Sequence, residues 1–374
     1  MQTVAAFTDT YLPTVNGVTY TVQTWRERWR DRGGRMDVVF PEAPTYDPDP
    51  TAGEHPTTSF GFPFYEGFRF GLPGVPDAVR RSDPEVVHAH TPFGLGLSAL
   101  YLARRRDVPL VASYHTPTAE YADYLAKGPL ATVVEGSART YERWFMNRAD
   151  VVVAPSEPAR DHLREIGVET PVRIVPNGVD ASFFAPADEA ARAAFRDRHD
   201  LPDGPLVGYT GRHGYEKDLT EIPPAVAAAE TDATVVFGGE GPAREAVRAA
   251  CEEHDVDARF LGFLDREALP TFYSVLDAFL FPSPVETQGL VALEATACGT
   301  PVVGVDAGAL AETVDDGDDG LHFPRGDTAA FADAVDRALA ERDRLRENCL
   351  GERDTASAEH AVDVLADVYD DVRR

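Results

Sequence analysis

Two short stretches carry side chains whose types and spacing suit a phosphorylated ligand. In TGRHGYEKD (210–218) an apolar run ends at Gly211, and Arg212 and Lys217 follow on a short loop that enters a helix. A guanidinium binds as a planar fork and an ammonium as a point charge, so two cations at a strand end can clamp a diphosphate. Only two lysines occur in the chain, Lys127 and Lys217, so the choice at this position stands out. A solvated loop with Glu216 paired to the adjacent Lys217 accounts for the same residues. In SPVETQGLVALEATACGTPVV (283–303), Glu286 lies just past a strand end, Gly289 opens a helix, and Glu294 sits within that helix. A glycine there lets a ligand approach the first helical turn, whose unpaired amides and positive dipole end suit phosphate. Carboxylates on either side can accept hydrogen bonds from sugar hydroxyls. With 27 glutamates in the chain the eight-residue spacing is weak by itself, and the strand–Pro–Glu–Gly–helix context is what makes it specific.

The elements that must position these groups alternate almost from end to end. TVAAFT (3–8), MDVVF (36–40), VVHAH (86–90), LVASYH (110–115), VVVAP (151–155) and VRIVP (172–176) are continuous apolar runs, as buried parallel strands require. Helical patterns lie between them. A second series runs through LVGYTG (206–211), TVVFGG (234–239), ARFLGF (258–263), AFLFPS (278–283), PVVGV (301–305) and GLHFP (320–324). Alternating strands and helices imply two Rossmann-like α/β domains with doubly wound parallel sheets. The expected divisions are 1–185, 186–350 and a C-terminal helix at 351–374 that packs back on the first domain. The Pro/Asn/Gly-rich segment PNGVDASFFAPAD (176–188) reads as the linker. Ligands bind at the carboxyl ends of such strands, which adds Asp9–Gly17, His90, His115, Gly238–Pro242 and Phe263–Leu264 to the candidates.

Composition narrows the possibilities. The chain has 374 residues, 43% apolar and 10% aromatic, which is ample for a core. No apolar run is long enough to span a membrane, and no signal peptide is expected. Cys251, Cys298 and Cys349 are scattered, which argues against a disulfide framework or a zinc site and fits a reducing cytosol. The formal net charge is −28, with −6 in residues 1–200 and −22 in 201–374. Neither half offers a dominant basic face, so nucleic acid is not an expected partner. So acidic a chain suggests a surface adapted to molar salt, where screening removes most self-repulsion.

Together these motifs resemble the retaining glycosyltransferases of family 4, which have the GT-B fold. The resemblance rests on FTDTYLPTVNGV (7–18), HAHTPFG (88–94), SYHTP (113–117), PNGVD (176–180), GRHGYEKD (211–218), FGGEGP (237–242), FLGFL (260–264), the Glu286/Glu294 pair and TPVVGVDAGALAE (300–312), in the expected order over essentially the whole chain. It implies two domains facing across a cleft, and transfer of a hexose from a UDP- or GDP-sugar. Arg212 and Lys217 would bind the diphosphate, Glu286 the transferred sugar's hydroxyls and Glu294 the ribose. Backbone groups at Gly17, Gly239, Thr287, Gly289 and Leu290 would approach phosphate and sugar. His115 would lie near the sugar's C6 end, and Phe263 and Leu264 would border the base. His88 and His90 read as packed strand histidines. The family works without a metal or other cofactor, and with retention through front-face attack; the turn Asp315–Asp319 reads as solvated surface.

The opening motif also looks like the branch that glycosylates membrane lipids. The segment 58–74 gathers Phe60, Phe62, Phe64, Tyr65, Phe68 and Phe70, and Trp25 and Trp29 lie among Arg26, Arg28 and Arg30. Arg104–Arg106 form a further basic run. Aromatic anchors beside arginines read as an interfacial patch for anionic headgroups. A lipid acceptor, with Phe62, Phe64, Tyr65, Phe68, Trp25 and Trp29 at the membrane, places the protein in the cytoplasm on the inner face. Packing of these aromatics in the core, with the arginines paired locally, is the alternative. A soluble sugar acceptor, a nucleotide-sugar epimerase and a non-catalytic bilobed sugar-binding protein are the rival functions.

Overall fold

The computed structural model describes residues 1–61, 69–115, 129–351, 353 and 356–373, the side chains of 129–135 apart. The chain forms two compact units, Met1–Asn177 with Ala358–Arg374, and Gly178–Ser357. The junctions fall at Asn177 and Ser357 in place of 185 and 350. The reason is packing: Val179 and Phe184, in the supposed linker, are buried in the core of the second unit. Arg353 donates to the carbonyls of Ala181 and Phe184 and holds the segment there.

Unit 1 contains β1 (Thr3–Phe7), β2 (Arg35–Pro41), β3 (Glu54–Thr57), β4 (Ser59–Gly61), β5 (Arg69–Gly71), β6 (Val86–Ala89), β7 (Leu110–Ser113), β8 (Val151–Ala154) and β9 (Val172–Ile174). Seven of these make a sheet in the order β3-β2-β1-β6-β7-β8-β9, and β4 and β5 pair as an antiparallel ribbon. Every pairing in the large sheet is parallel. A strand covered on both faces needs apolar residues at every position. Accordingly Val4 and Ala6 pack into one core with Trp25 and Trp29, while Ala5 and Phe7 pack into the other with Leu95 and Phe145.

The helix Gly17–Asp31 starts at Asn16, whose side chain accepts from the Thr19 amide, and it buries Val22, Trp25 and Trp29 at helical spacing. This corrects the interfacial reading of the two tryptophans. Both are fully buried, with Trp25 Nε1 donating to the Asn177 carbonyl and Trp29 Nε1 to that of Gln2. Arg26 is also buried, paired with Glu54. Phe62, Phe64, Tyr65 and Phe68 lie outside the described residues. The C-terminal helix Ala358–Val372 completes this core with Val362, Leu365, Val368 and Tyr369, and the Tyr369 ring meets Trp29 edge-on at 5.1 Å.

Unit 2 contains β10 (Leu206–Thr210), β11 (Thr234–Gly238), β12 (Ala258–Gly262), β13 (Ala278–Phe281), β14 (Val302–Val305) and β15 (Gly320–Phe323), in the order β12-β11-β10-β13-β14-β15. All its pairings are parallel too. In each sheet the strand order reverses beside the first strand, between β1 and β6 in unit 1 and between β10 and β13 in unit 2. The loops leaving those strands diverge and open a crevice at their carboxyl ends.

Candidate active site

The crevice of unit 2 is built first from glycines. Gly211 follows β10 with φ +139°, and a Cβ there would meet the Tyr209 hydroxyl at 2.9 Å. Gly239, after β11, has φ +101°, and a Cβ would lie 2.0 Å from the Gly211 carbonyl oxygen. No side chain fits, so the two loops run backbone against backbone. His213 fixes them together: it is fully buried, its amide donates to the Glu240 carbonyl at 2.8 Å, and its Nε2 lies 3.0 Å from the Gly238 carbonyl.

That platform carries the cations. Arg212 pairs with Glu216, four residues on. Lys217 ends the short 3-10 turn Tyr215–Lys217, and its Nζ donates to Glu286 Oε1 at 2.7 Å. Both members of this second pair are largely buried. Lys217 leaves from β10 and Glu286 from β13, so the pair bridges the switch point itself. Lys217 is therefore engaged with Glu286 across the crevice, and Glu216 serves Arg212.

Gly289 stands at the start of the helix Leu290–Ala297 with φ +80°, where a Cβ would press on Leu310 at 2.7 Å. Thr287 and Leu290 flank it, half-buried. The opening amides of a helix lack partners within it, and this helix begins shortly after Glu286 in the chain. One turn further, Glu294 is half-buried and accepts a hydrogen bond from the Tyr273 hydroxyl at 2.7 Å. Burial pushes its carboxyl up to about 7, against the opposing pull of Tyr273 and Arg266. Phe263, after β12, has 64% of its surface exposed, and Leu264 packs beneath Gly238.

The structure thus brings Arg212, Lys217, Gly239, Phe263, Leu264, Glu286, Thr287, Gly289, Leu290 and Glu294 to one end of one sheet. Gly17 and His115 belong to unit 1. Gly17 is exposed at the first turn of its helix, and His115 follows β7 in a half-buried position. Sequence reasoning gave no role to His213 or Tyr273, and it offered Glu216 as a partner for Lys217 where the structure pairs it with Arg212. His213 was signalled by its place between Arg212 and Gly214, whereas nothing local distinguishes Tyr273 from a core tyrosine. Asp9, at the end of β1, serves the fold. Its carboxylate accepts from Thr91 Oγ1 and the Leu95 amide, capping the helix Gly94–Arg106, and burial raises it to about 6.

Residues 15–183 match the model of Glycosyltransferase Family 4, and residues 191–351 that of Glycosyl transferases group 1. The chain is also 32% identical over 350 residues to the GDP-mannose-dependent alpha-mannosyltransferase of Mycolicibacterium smegmatis, covering 91% of this chain and 90% of that one. The chain belongs to glycosyltransferase family 4. This glycosyltransferase moves a sugar from a nucleotide-sugar donor to an acceptor. It is 27% identical to the alpha-monoglucosyldiacylglycerol synthase of Streptococcus pneumoniae, over 80% of this chain and 70% of that one. In fold it is similar to the sucrose-phosphate synthase of Thermosynechococcus elongatus, with a TM-score of 0.76 at 22% identity over 100% of this chain and 99% of that one. Anabaena Alr3699/HepE, solved in complex with UDP and glucose, gives a TM-score of 0.77 at 16% identity over 99% and 100% of the two chains. Both are GT-B neighbours of this transferase.

Proposed function

We propose that this glycosyltransferase moves a hexose, with retention and without a metal, from a UDP- or GDP-sugar to a hydroxyl of a membrane glycerolipid. The observation that carries the donor half is the Lys217–Glu286 bridge at the switch point, with Arg212 beside it. Breaking the bond from the anomeric carbon to phosphate leaves positive charge on the sugar and sends the electron pair to the diphosphate. Arg212 and Lys217 stabilise that departing charge in place of a cation cofactor, and fixed charges of this kind lower the barrier most. Glu286 receives sugar hydroxyls while holding the Lys217 ammonium, which has three donors to share. The acceptor oxygen then attacks on the face the phosphate leaves, and its proton passes to the leaving phosphate oxygen.

Two kinds of support favour a lipid acceptor. One relative is named for diacylglycerol glycosylation. The other is a surface of unit 1 that replaces the two buried tryptophans. On the helix Gly94–Arg106, Leu95, Ala99 and Leu102 face the core, while Leu97 and Tyr101 face out, Tyr101 with 60% of its surface exposed. Phe93 starts this outer stripe and meets Phe70 of the β4–β5 ribbon at 6.2 Å; Phe60 and Leu72 there are about half exposed. Arg104 and Arg105 close the stripe at its other end. Aromatic and aliphatic side chains beside arginines suit shallow insertion at a bilayer surface. Among the described residues no helix is long and apolar enough to cross a membrane. In molar salt the charges are screened within about 3 Å, so the apolar stripe carries the attachment. A soluble acceptor is the second reading, favoured by 34% identity to the D-inositol 3-phosphate glycosyltransferase of Xylanimonas cellulosilytica, over 76% of this chain.

Nucleotide-diphosphate release in molar KCl tests both, with UDP- and GDP-hexoses, with and without glycerolipid vesicles, and with Glu286→Ala as control. Release from one donor that requires vesicles and is lost in the variant supports the lipid reading. Release driven by inositol phosphate or free sugars and indifferent to vesicles overturns it in favour of the second.

A further inference from the structure

Unit 2 has a second concavity, at the amino ends of its strands. The sheet is parallel throughout, so the crevice with Lys217 and Glu286 lies at one end and the starts of β13 and β14 lie at the other. There a cavity of about 430 Å3 is lined by Asp277, which precedes β13, by Gly299, which precedes β14, and by Arg192, Arg196, Arg342 and Arg346. The strand β13 has 4 residues, so at about 3.3 Å each roughly 13 Å of strand separates the cavity from the crevice.

The arginines come from two helices. Arg192 and Arg196 stand four apart on the helix Glu189–Arg198, and Arg342 and Arg346 stand four apart on the helix Arg342–Gly351. Residues at this spacing share a helix face, and like charges there repel. Arg342 is met by Asp277 at 2.7 Å and by Asp343 at 3.5 Å. Arg346 instead donates to the Gly299 carbonyl at 3.0 Å, and Arg196 to the carbonyls of Pro202 and, at 3.3 Å, Val275. A carbonyl holds a guanidinium in place but leaves its charge, and the Gly299 contact takes only one of the five donors that Arg346 carries. Carboxylates are plentiful in this unit: residues 178–357 hold 36 acidic and 15 basic side chains. On this cavity the ratio turns over, with four arginines against Asp277 and the exposed Glu189 and Asp343.

Paired guanidinium forks on facing helices are completed by a group with several anionic oxygens, which phosphate supplies. The volume falls in the range of sites for small organic ligands. We propose that this cavity is a second anion site, which takes a small phosphorylated organic molecule with its phosphate between the two arginine pairs. The site is separate from the donor crevice and does not rest on the donor reading.

Isothermal titration of the full chain in molar KCl with ribose 5-phosphate tests it, with ribose and citrate as the uncharged and carboxylate controls. The expected result is one ribose 5-phosphate bound per chain at a site that survives Arg212→Ala, with neither control binding comparably. Arg192→Ala combined with Arg346→Ala should lower the affinity at least about tenfold, as loss of charge-assisted hydrogen bonds requires, and should leave turnover of the nucleotide-sugar donor near wild type. Arg192→Gln is the second variant. It leaves the Arg196, Arg342 and Arg346 contacts in place and should weaken binding by about threefold to tenfold with an unchanged melt. Absence of ribose 5-phosphate binding up to about 20 mM overturns the proposal. Binding that is lost in Arg212→Ala and kept in the double variant puts the phosphate in the donor crevice and overturns it as well. Citrate bound as tightly as the phosphate ester overturns the choice of ligand class.

Discussion

Glu294 gives the sharpest quantitative test of the site. Its side chain is half-buried, and desolvation outweighs the Tyr273 hydrogen bond to place its carboxyl at about 7, against 4.5 for an ordinary glutamate. The native state therefore binds this proton more tightly than the unfolded chain does. The resulting contribution is fully present below about pH 4.5, declines as pH rises towards 7, and is constant above that. At ~1.4 kcal/mol for each tenfold change, ionising Glu294 inside the fold costs on the order of 3 kcal/mol at pH 8 and under about 1 kcal/mol at pH 5. Glu294→Gln keeps an acceptor for Tyr273 and never ionises. At ~2–4 °C per kcal/mol for a unit of this size, the variant should melt roughly 6–12 °C above the wild type at pH 8 and nearly with it at pH 5. Calorimetry in molar KCl across that range is the assay, and Asp9, raised for the same reason, cancels in the comparison. A variant no more stable than wild type at pH 8, or a gap that does not widen from pH 5 to pH 8, refutes the argument that burial governs this carboxyl. The same variant should bind donor more weakly, since a neutral amide is a poorer acceptor for ribose hydroxyls.

Arg212→Ala and Lys217→Ala should each lower kcat by about 10²–10³ with smaller changes in donor KM, as loss of leaving-group stabilisation requires, and steady-state kinetics would expose a pure binding role as a KM effect alone. Trp25→Ala should cost about 3–5 kcal/mol by denaturant unfolding, because the indole is fully enclosed; a cost under about 1 kcal/mol would contradict its place in the core. Dialysis from molar to about 0.1 M KCl should lower the melting temperature, as self-repulsion of the acidic surface reappears, and an unchanged melt would remove the argument for salt adaptation. Leu97→Ser with Tyr101→Ser should abolish vesicle sedimentation and vesicle-dependent turnover while the melt stays near wild type; retained sedimentation would move the membrane contact elsewhere.

The donor platform was legible because it depends on local sequence. Strand-length apolar runs ending in Gly211, Gly239 and Gly289 mark turns where only glycine fits, and the charged residues that follow inherit their place from the sheet. Partners were less legible, because they come from distant segments. Lys217 and Glu286 are 69 positions apart, and Tyr273 reaches Glu294 across 21. Trp25 and Trp29 were misassigned although Val22, Trp25 and Trp29 repeat at helical spacing. Three flanking arginines drew attention to charge, yet Arg26 itself is buried against Glu54. The boundary at 185 failed for a related reason. Loop-forming composition does not distinguish a free linker from one whose Val179 and Phe184 are packed into the second unit.

The return of the last helix to unit 1 sets an order on biosynthesis. Unit 2 is one continuous stretch, Gly178–Ser357, and has all its strands once that stretch leaves the ribosome. Unit 1 begins at the first residue but is finished only by Ala358–Val372, whose Val362, Leu365 and Tyr369 close the core over Trp29. Domains usually mature from the amino terminus onward. Here the half that emerges first has to wait, its tryptophan core uncovered, until the final fifteen-residue helix is released. A stop codon at the first residue of that helix would spare the second sheet and leave the first without its lid.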